Sequence, residues 1–435
     1  MSVQRQLWFR VGLSLALGCS GNSAPSGPDT DEQGETETSG DVEDTDLIPD
    51  TDTGTSTPTT LTDTDTGAGT ITTTVGALVT EVAAAPAGGT IYVGHCDIDD
   101  AGDIYVTWQQ EDGGQDVWLS RSQDGGASFQ APIGIETGPE NPMGGWGNSR
   151  KPYVTADGTR VAVVYGTSAP ISSRVVVSTS LAPLTFAPAV DIGTADTSDV
   201  EEFAKPVFQS DGSLAVFFHR TLPGLEEIMV SRESDGWTAE SLLGSAPGQP
   251  CDCCPQDVLT NQAGTTLLAY RNNISNVRDH FVARAPDFSS SVAGSATHWT
   301  TFACPVDGPR LGENDGGDQL LVWADPTQGA SRVWISDSTN DGLTWGGDRM
   351  VEDAGAGQHR PTIALAEDGT VWVAMDRSGD DALLVSSTDG GATFGGATEL
   401  ITADGALDAA ELCSGGGRTG LVGITPGGDL YWIGL

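Results

Sequence analysis

From residue 100 onward, a short glycine turn returns about every fifty-three residues, and this spacing constrains the fold more than any other feature. The turns read Asp100-Ala101-Gly102, Ala156-Asp157-Gly158, Ser210-Asp211-Gly212, Gln262-Ala263-Gly264, Asp315-Gly316-Gly317, Glu367-Asp368-Gly369 and Pro426-Gly427-Gly428. Their final glycines are separated by 56, 54, 52, 53, 52 and 59 residues. An apolar, β-prone run follows each turn, as in Ile104-Tyr105-Val106-Thr107-Trp108 and Val371-Trp372-Val373-Ala374-Met375. No long stretch carries apolar residues at helical spacing, so the fold is all-β. A period near fifty made of short strands and turns fits one four-stranded blade per repeat. The sequence therefore predicts a β-propeller of six or seven blades over residues 76–435, with seven favoured. The last turn lies close to the C-terminus, so the runs Thr70–Val75 and Leu78–Val82 are expected to supply the missing outer strands. Such closure removes an exposed sheet edge.

A second repeat lies about twenty residues beyond the turn. It reads Ser122-Gln123-Asp124-Gly125-Gly126-Ala127-Ser128-Phe129, then Ser338-Thr339-Asn340-Asp341-Gly342-Leu343-Thr344-Trp345, then Ser387-Thr388-Asp389-Gly390-Gly391-Ala392-Thr393-Phe394. A degenerate version runs from Thr179 to Phe186. The pattern resembles the Asp-box of sialidase-like (BNR-repeat) propellers. Asp124, Asn340 and Asp389 are then structural residues that accept backbone N–H bonds in a hairpin. In the resembled family these boxes lie away from the active face.

The N-terminal portion differs in kind. Arg5 and Arg10 precede a short apolar run from Val11 to Leu17, and Gly18-Cys19 follows. This pattern reads as a signal peptide over residues 1–18. It resembles a bacterial lipobox, with Cys19 as the lipidated first residue, although Ala16 stands where Leu is usual. Residues 19–75 read as a disordered linker, since thirteen acidic residues and no Lys or Arg lie between Asp29 and Asp65. The expected location is outside the inner membrane, anchored by lipid in the envelope. The net charge of −42 excludes a general nucleic-acid binder and leaves the N-terminal lipid as the one expected contact with membrane. A monomer is expected, and no cofactor.

The loops leading into the innermost strands are expected to line one mouth of the channel. Of only 19 Lys and Arg, six fall there: Arg150, Lys151, Lys205, Arg310, Arg360 and Arg418. A converged basic ring in an acidic chain focuses an anion, and a guanidinium fork suits a carboxylate. The opposing reading is that these cations pair with neighbouring Asp and Glu. The resemblance implies an Arg cluster that holds a sugar carboxylate. A sialidase also requires an Asp acid/base, a Tyr nucleophile and its Glu. Glu201, Glu202, Asp307 and Glu411 are available carboxylates. No Tyr is placed with them by the sequence, and Phe-Arg-Ile-Pro is missing.

Six cysteines remain after Cys19: Cys96, Cys251, Cys253, Cys254, Cys304 and Cys413. In an exported chain they read as three disulfides of undetermined pairing. The segment Cys251-Asp252-Cys253-Cys254-Pro255 with Cys304-Pro305 resembles a bacterial BNR-repeat subgroup of unassigned activity. A soft-metal site with His95 or His359 is the alternative. Three functions stay open. The preferred one is an envelope module that binds an anionic glycan or other small anion. The others are a sialidase-type glycoside hydrolase, and a disulfide-stapled scaffold or metal-handling protein.

Overall fold

The computed structural model describes residues 78–111, 115–136, 151–168, 171–194, 200–242, 249–303, 305–351, 357–377 and 381–435. Cys19, the run Thr70–Val75, Arg150 and Cys304 lie outside the described residues.

Six of the seven glycine turns join the first two strands of an antiparallel blade. The inner strands are Thr90–Ile98, Tyr153–Ala156, Val200–Phe208, Asp257–Thr260, Arg310–Glu313, His359–Leu365 and Asp408–Gly415, blades 1 to 7 in order. The left-handed φ of Gly102, Gly158, Gly212, Gly264, Gly317 and Gly369, between 78° and 84°, explains why glycine recurs there.

The fold is a seven-bladed β-propeller, and its core lies between blades. Side chains alternate along each second strand, so one strand serves two interfaces. Ile104, Val106 and Trp108 of blade 1 pack on Val422, Leu430 and Trp432 of blade 7. Their neighbour Tyr105 packs with Val117 and Leu119 on Val154, Val161 and Val163 of blade 2. Seven apolar clusters arise in this way, one per interface, and the ring closes. Burial on both faces is the reason these strands read as nearly continuous apolar runs.

Closure corrects one expectation. Blade 7 consists of Asp408–Gly415, Arg418–Ile424, Leu430–Gly434 and, at its outer edge, Leu78–Ala83. Its inner hairpin turns at Gly416-Gly417, and Pro426-Gly427-Gly428 joins its second and third strands instead. The 59-residue interval marked this change of position. One N-terminal strand suffices, pairing Leu78 with Gly434 and Thr80 with Trp432. The Cys96–Cys413 disulfide ties the inner strands of blades 1 and 7 across 317 residues of sequence.

The Asp-boxes are hairpins. Asp389 Oδ1 accepts from the Thr393 N–H at 2.8 Å and from Ser387 Oγ at 2.7 Å, while Ser387 Oγ accepts from the Gly391 N–H at 2.9 Å. Asp124 repeats the pattern with Ser128 and Ser122, and Asn340 does so with Thr344. The boxes' Phe129, Trp345 and Phe394 pack against the inter-blade clusters.

Candidate functional site

The seven inner strands run side by side in one register, so each contributes an equivalent side chain to the channel. The position is defined by pairing with the second strand of the blade: His95 with Thr107, Tyr153 with Val164, Lys205 with Phe217, Asp257 with Ala269, Arg310 with Val322, Thr362 with Ala374 and Glu411 with Val422. Six of these seven residues bear a polar or titratable group suited to binding or proton transfer, and the seventh is a threonine. β-Bulges precede His95, Lys205, Thr362 and Glu411. In three of them a non-glycine residue takes the left-handed conformation: Phe203 at φ 59°, Arg360 at φ 51° and Ala409 at φ 56°. Bulges re-aim the side chains that follow them, and strain of this kind gathers at functional sites.

The ring's members touch. Lys205 Nζ lies 2.5 Å from Asp257 Oδ1 and 4.7 Å from the centre of the Tyr153 ring. The His95 and Tyr153 rings are 4.8 Å apart. Arg310 Nη2 donates to Glu411 Oε1 at 3.0 Å. Lys151, two residues before Tyr153, reaches the same Glu411 oxygen and stacks 5.4 Å over Tyr153. Asp257 uses its second oxygen to accept the Leu311 N–H at 2.8 Å. Lys151, Lys205, Asp257 and Glu411 are all buried. The buried Tyr153 hydroxyl faces Arg310.

Three cations, Lys151, Lys205 and Arg310, therefore face two carboxylates, Asp257 and Glu411. Burial raises the Glu411 carboxyl, but Lys151 and Arg310 outweigh it and hold the group well below the usual carboxylate range. Burial lowers Lys151 to about 7, helped by repulsion from Arg310 and Lys205. Burial and Arg310 bring Lys205 to about 8. Burial keeps the His95 ring neutral and raises the Tyr153 phenol above its ordinary value, so it stays a donor at neutral pH. One tier deeper, burial raises Asp97 to about 7. Below about pH 7, with Lys151 and Lys205 both protonated, the cluster thus carries one excess positive charge next to the Tyr153 hydroxyl.

The residues expected from sequence divide into groups. Lys151, Lys205 and Arg310 converge, and all three are paired with acids. Arg360 sits apart, its Nε 2.5 Å from Asp376 Oδ2 and its Nη2 2.7 Å from Asp408 Oδ1. Arg418 opens the second strand of blade 7, beyond the Gly416-Gly417 turn, and lies against Gly102 and Gly125. It is at the opposite end of the strands from Glu411, since the inner hairpin of blade 7 turns at Gly416-Gly417 and not at Pro426-Gly427-Gly428. Glu201 accepts the Thr194 N–H at 2.5 Å and lines a shallow cleft with Lys151, Tyr165 and Phe203. Glu202 pairs in register with His219. Asp307 is raised by burial beside His359, Arg271 and Arg360. Tyr153 escaped notice although it directly follows Arg150-Lys151-Pro152, and His95 had been considered only as a metal ligand.

The cysteines also depart from expectation. Cys253 is disulfide-bonded, whereas Cys251 and Cys254 are buried free thiols. Among the described residues, no His joins the sulfur cluster of Cys251, Cys253 and Cys254. His359 instead lies 2.9 Å from the Gly357 carbonyl.

No protein-family model and no curated protein matches the sequence. Solved structures do resemble it. An ulvan lyase of polysaccharide lyase family 25, bound to GlcA(1-4)Rha3S, superposes with TM-score 0.52 at 12% identity over 81% of this chain and 95% of that one. The polysaccharide lyase Uly1 gives TM-score 0.50 at 9% identity over 79% and 90%. A Hadza microbial sialidase gives 0.45 at 13% identity over 79% and 65%. At such identities the likeness is one of fold.

Proposed function

We propose that this chain binds an anionic, carboxylate-bearing glycan at the channel mouth. The observation that carries the reading is the ring in which Lys151, Lys205 and Arg310 outnumber Asp257 and Glu411 beside the Tyr153 hydroxyl. An extra positive charge in a low-dielectric cleft attracts one carboxylate, and a guanidinium and a phenol fix its orientation. The ring's variety of polar groups suits a sugar better than a simple ion. The glycan-acting neighbours, one of them bound to a glucuronate-containing saccharide, support the same class of ligand. We further propose that Cys19 is the lipidated residue and that the propeller is displayed from the envelope on its acidic linker.

A second reading is glycan cleavage, favoured by Tyr153. A phenol kept protonated by burial beside Arg310 can give a proton to a leaving oxygen. Calorimetric titration with glucuronate- and sialate-bearing oligosaccharides tests the first reading. Binding should weaken about tenfold or more in R310K, which keeps the charge near Glu411 and loses the fork. Equal binding by R310K and the parent, or none by the folded parent, rejects it. Reducing-end release that Y153F abolishes would establish the second reading.

A further inference from the structure

The sulfur cluster before the inner strand of blade 4 has a chemistry of its own. Cys251-Asp252-Cys253-Cys254 forms a turn closed by the Cys254 N–H on the Cys251 carbonyl at 3.3 Å. The turn brings Cys251 Sγ to 2.9 Å from Cys254 Sγ and 3.6 Å from Cys253 Sγ. Two of these sulfurs are thiols and the third already belongs to a disulfide. Arg278 Nη1 lies 3.3 Å from Cys251 Sγ, and the buried Arg271 is a second nearby cation.

We propose that Cys251, Cys253 and Cys254 form a thiol–disulfide exchange site, with Cys251 as the attacking sulfur, Cys253 as the sulfur attacked and Cys254 as the resolving thiol. The Cys251 thiolate forms a bond to Cys253 Sγ, and the former partner of Cys253 leaves as a thiolate that takes up the proton. The Cys254 thiolate then attacks Cys251, and Cys253 leaves. One disulfide is present before and after, two thiols are present before and after, and no outside oxidant is needed. A thiolate is the nucleophile in such exchange, and a neighbouring cation increases its share.

The surroundings assign the order of the roles. Cys251 is brought down to about 7, first by the hydrogen bond from the Cys254 thiol and then by Arg278 and Arg271. Burial pushes Cys254 well above the ordinary thiol value, so it does not compete for the first attack. The acids at the cluster are Asp252 in the turn itself, Asp307, raised by burial, and Glu226, raised by burial to about 8. Glu226 is largely protonated at neutral pH and opposes the two arginines only weakly. The Cys253 disulfide is therefore a switchable bond, and the loop before blade 4 has two covalent states of similar composition.

The test uses the full chain purified without reductant. Cys251, Cys253 and Cys254 share one tryptic peptide, Glu233–Arg271, so the two states differ in mass pattern. One holds this peptide joined to another through Cys253, and the other holds it alone with an internal Cys251–Cys254 bond. Aliquots kept at pH 5 or pH 8 are quenched in acid, alkylated and mapped. The expected result is interconversion that is at least several-fold faster at pH 8, with the alkylated positions moving from Cys251 and Cys254 to Cys253 and its partner. C254S should accumulate the Cys251–Cys253 bond, and C251S should stay in the first state. A single linkage map unchanged at both pH values overturns the proposal. So does stoichiometric copper or zinc bound to thiols that resist alkylation until a chelator is added. Mapping the unmutated chain alone decides the matter if either variant fails to fold.

Discussion

Glu411 is the keystone of the channel, and E411Q measures its weight. The carboxylate is buried and receives Lys151 and Arg310 on the same oxygen. Each contact at about 4 Å with an effective dielectric near 20 represents about 4 kcal/mol of attraction. The carboxylate's own desolvation, relieved on neutralisation, offsets a large part of the sum. Breaking a buried pair from one side leaves a cost of about 3–5 kcal/mol. While Lys151 keeps its proton, the substitution also raises the excess charge of the cluster from one to two, since three cations then face Asp257 alone. Urea titration followed by tryptophan fluorescence should show a loss of that size at pH 6. Lys151 sits at about 7 in the native protein, and loss of Glu411 lowers it further. The folded variant then binds fewer protons than the folded parent between those two values. The deficit consequently shrinks as pH rises through about 7. E411Q/K151M, which removes both partners, should be more stable than E411Q. A loss under about 1 kcal/mol, or a double variant as unstable as the sum of its singles, would refute the ion-network account.

Other expectations follow from the same geometry. R360Q leaves the buried Asp376 without its cation, and Asp376 already stands at about 7 through burial. Its value should rise further, so the folded variant retains a proton that the unfolded chain releases. Stability should fall as pH rises from about 5 to 8, by roughly 3–5 kcal/mol at the upper end, with glycan binding unchanged in calorimetry. C96A/C413A removes the bond between blades 7 and 1 and should lower unfolding stability by about 2–5 kcal/mol, without loss of β-sheet circular dichroism. Deleting residues 1–83 strips Leu78–Ala83 from the edge of blade 7. It should yield a chain that associates in sedimentation experiments, since an unpaired long edge strand invites pairing.

The architecture was legible because its cause is local, whereas the site was legible only in part because its cause is not. A left-handed glycine turn and a two-sided apolar strand are decided within about twenty residues, and they repeat. The exception, the final hairpin, was displaced because blade 7 borrows its outer strand from the other end of the chain. Its true turn at Gly416-Gly417 lies 48 residues after Gly369, a shorter interval than any other. Searching for basic residues near the strand starts recovered Lys205 and Arg310, which stand seven residues before their turn glycines. It also selected Arg360, which sits at the bulge two residues before Thr362 and reaches Asp376 and Asp408 instead. A bulge shifts which face a side chain meets without leaving a mark in composition. His95, Tyr153, Thr362 and Glu411 share a place and no chemistry, so a search by residue class could not group them. Counting seven residues back from each glycine finds His95, Lys205, Asp257, Arg310 and Thr362 at once. Tyr153 and Glu411 deviate by two and by one, the first where the loop between the paired strands has four residues instead of five and the second where it has two. Pairing is further from view still: Lys151 meets Glu411 across 260 residues, a contact created only when the ring closes. The charge that a glycan meets at the mouth is therefore a property of closure, and any change that opens blade 7 should abolish binding before it abolishes the β-structure of the other six blades.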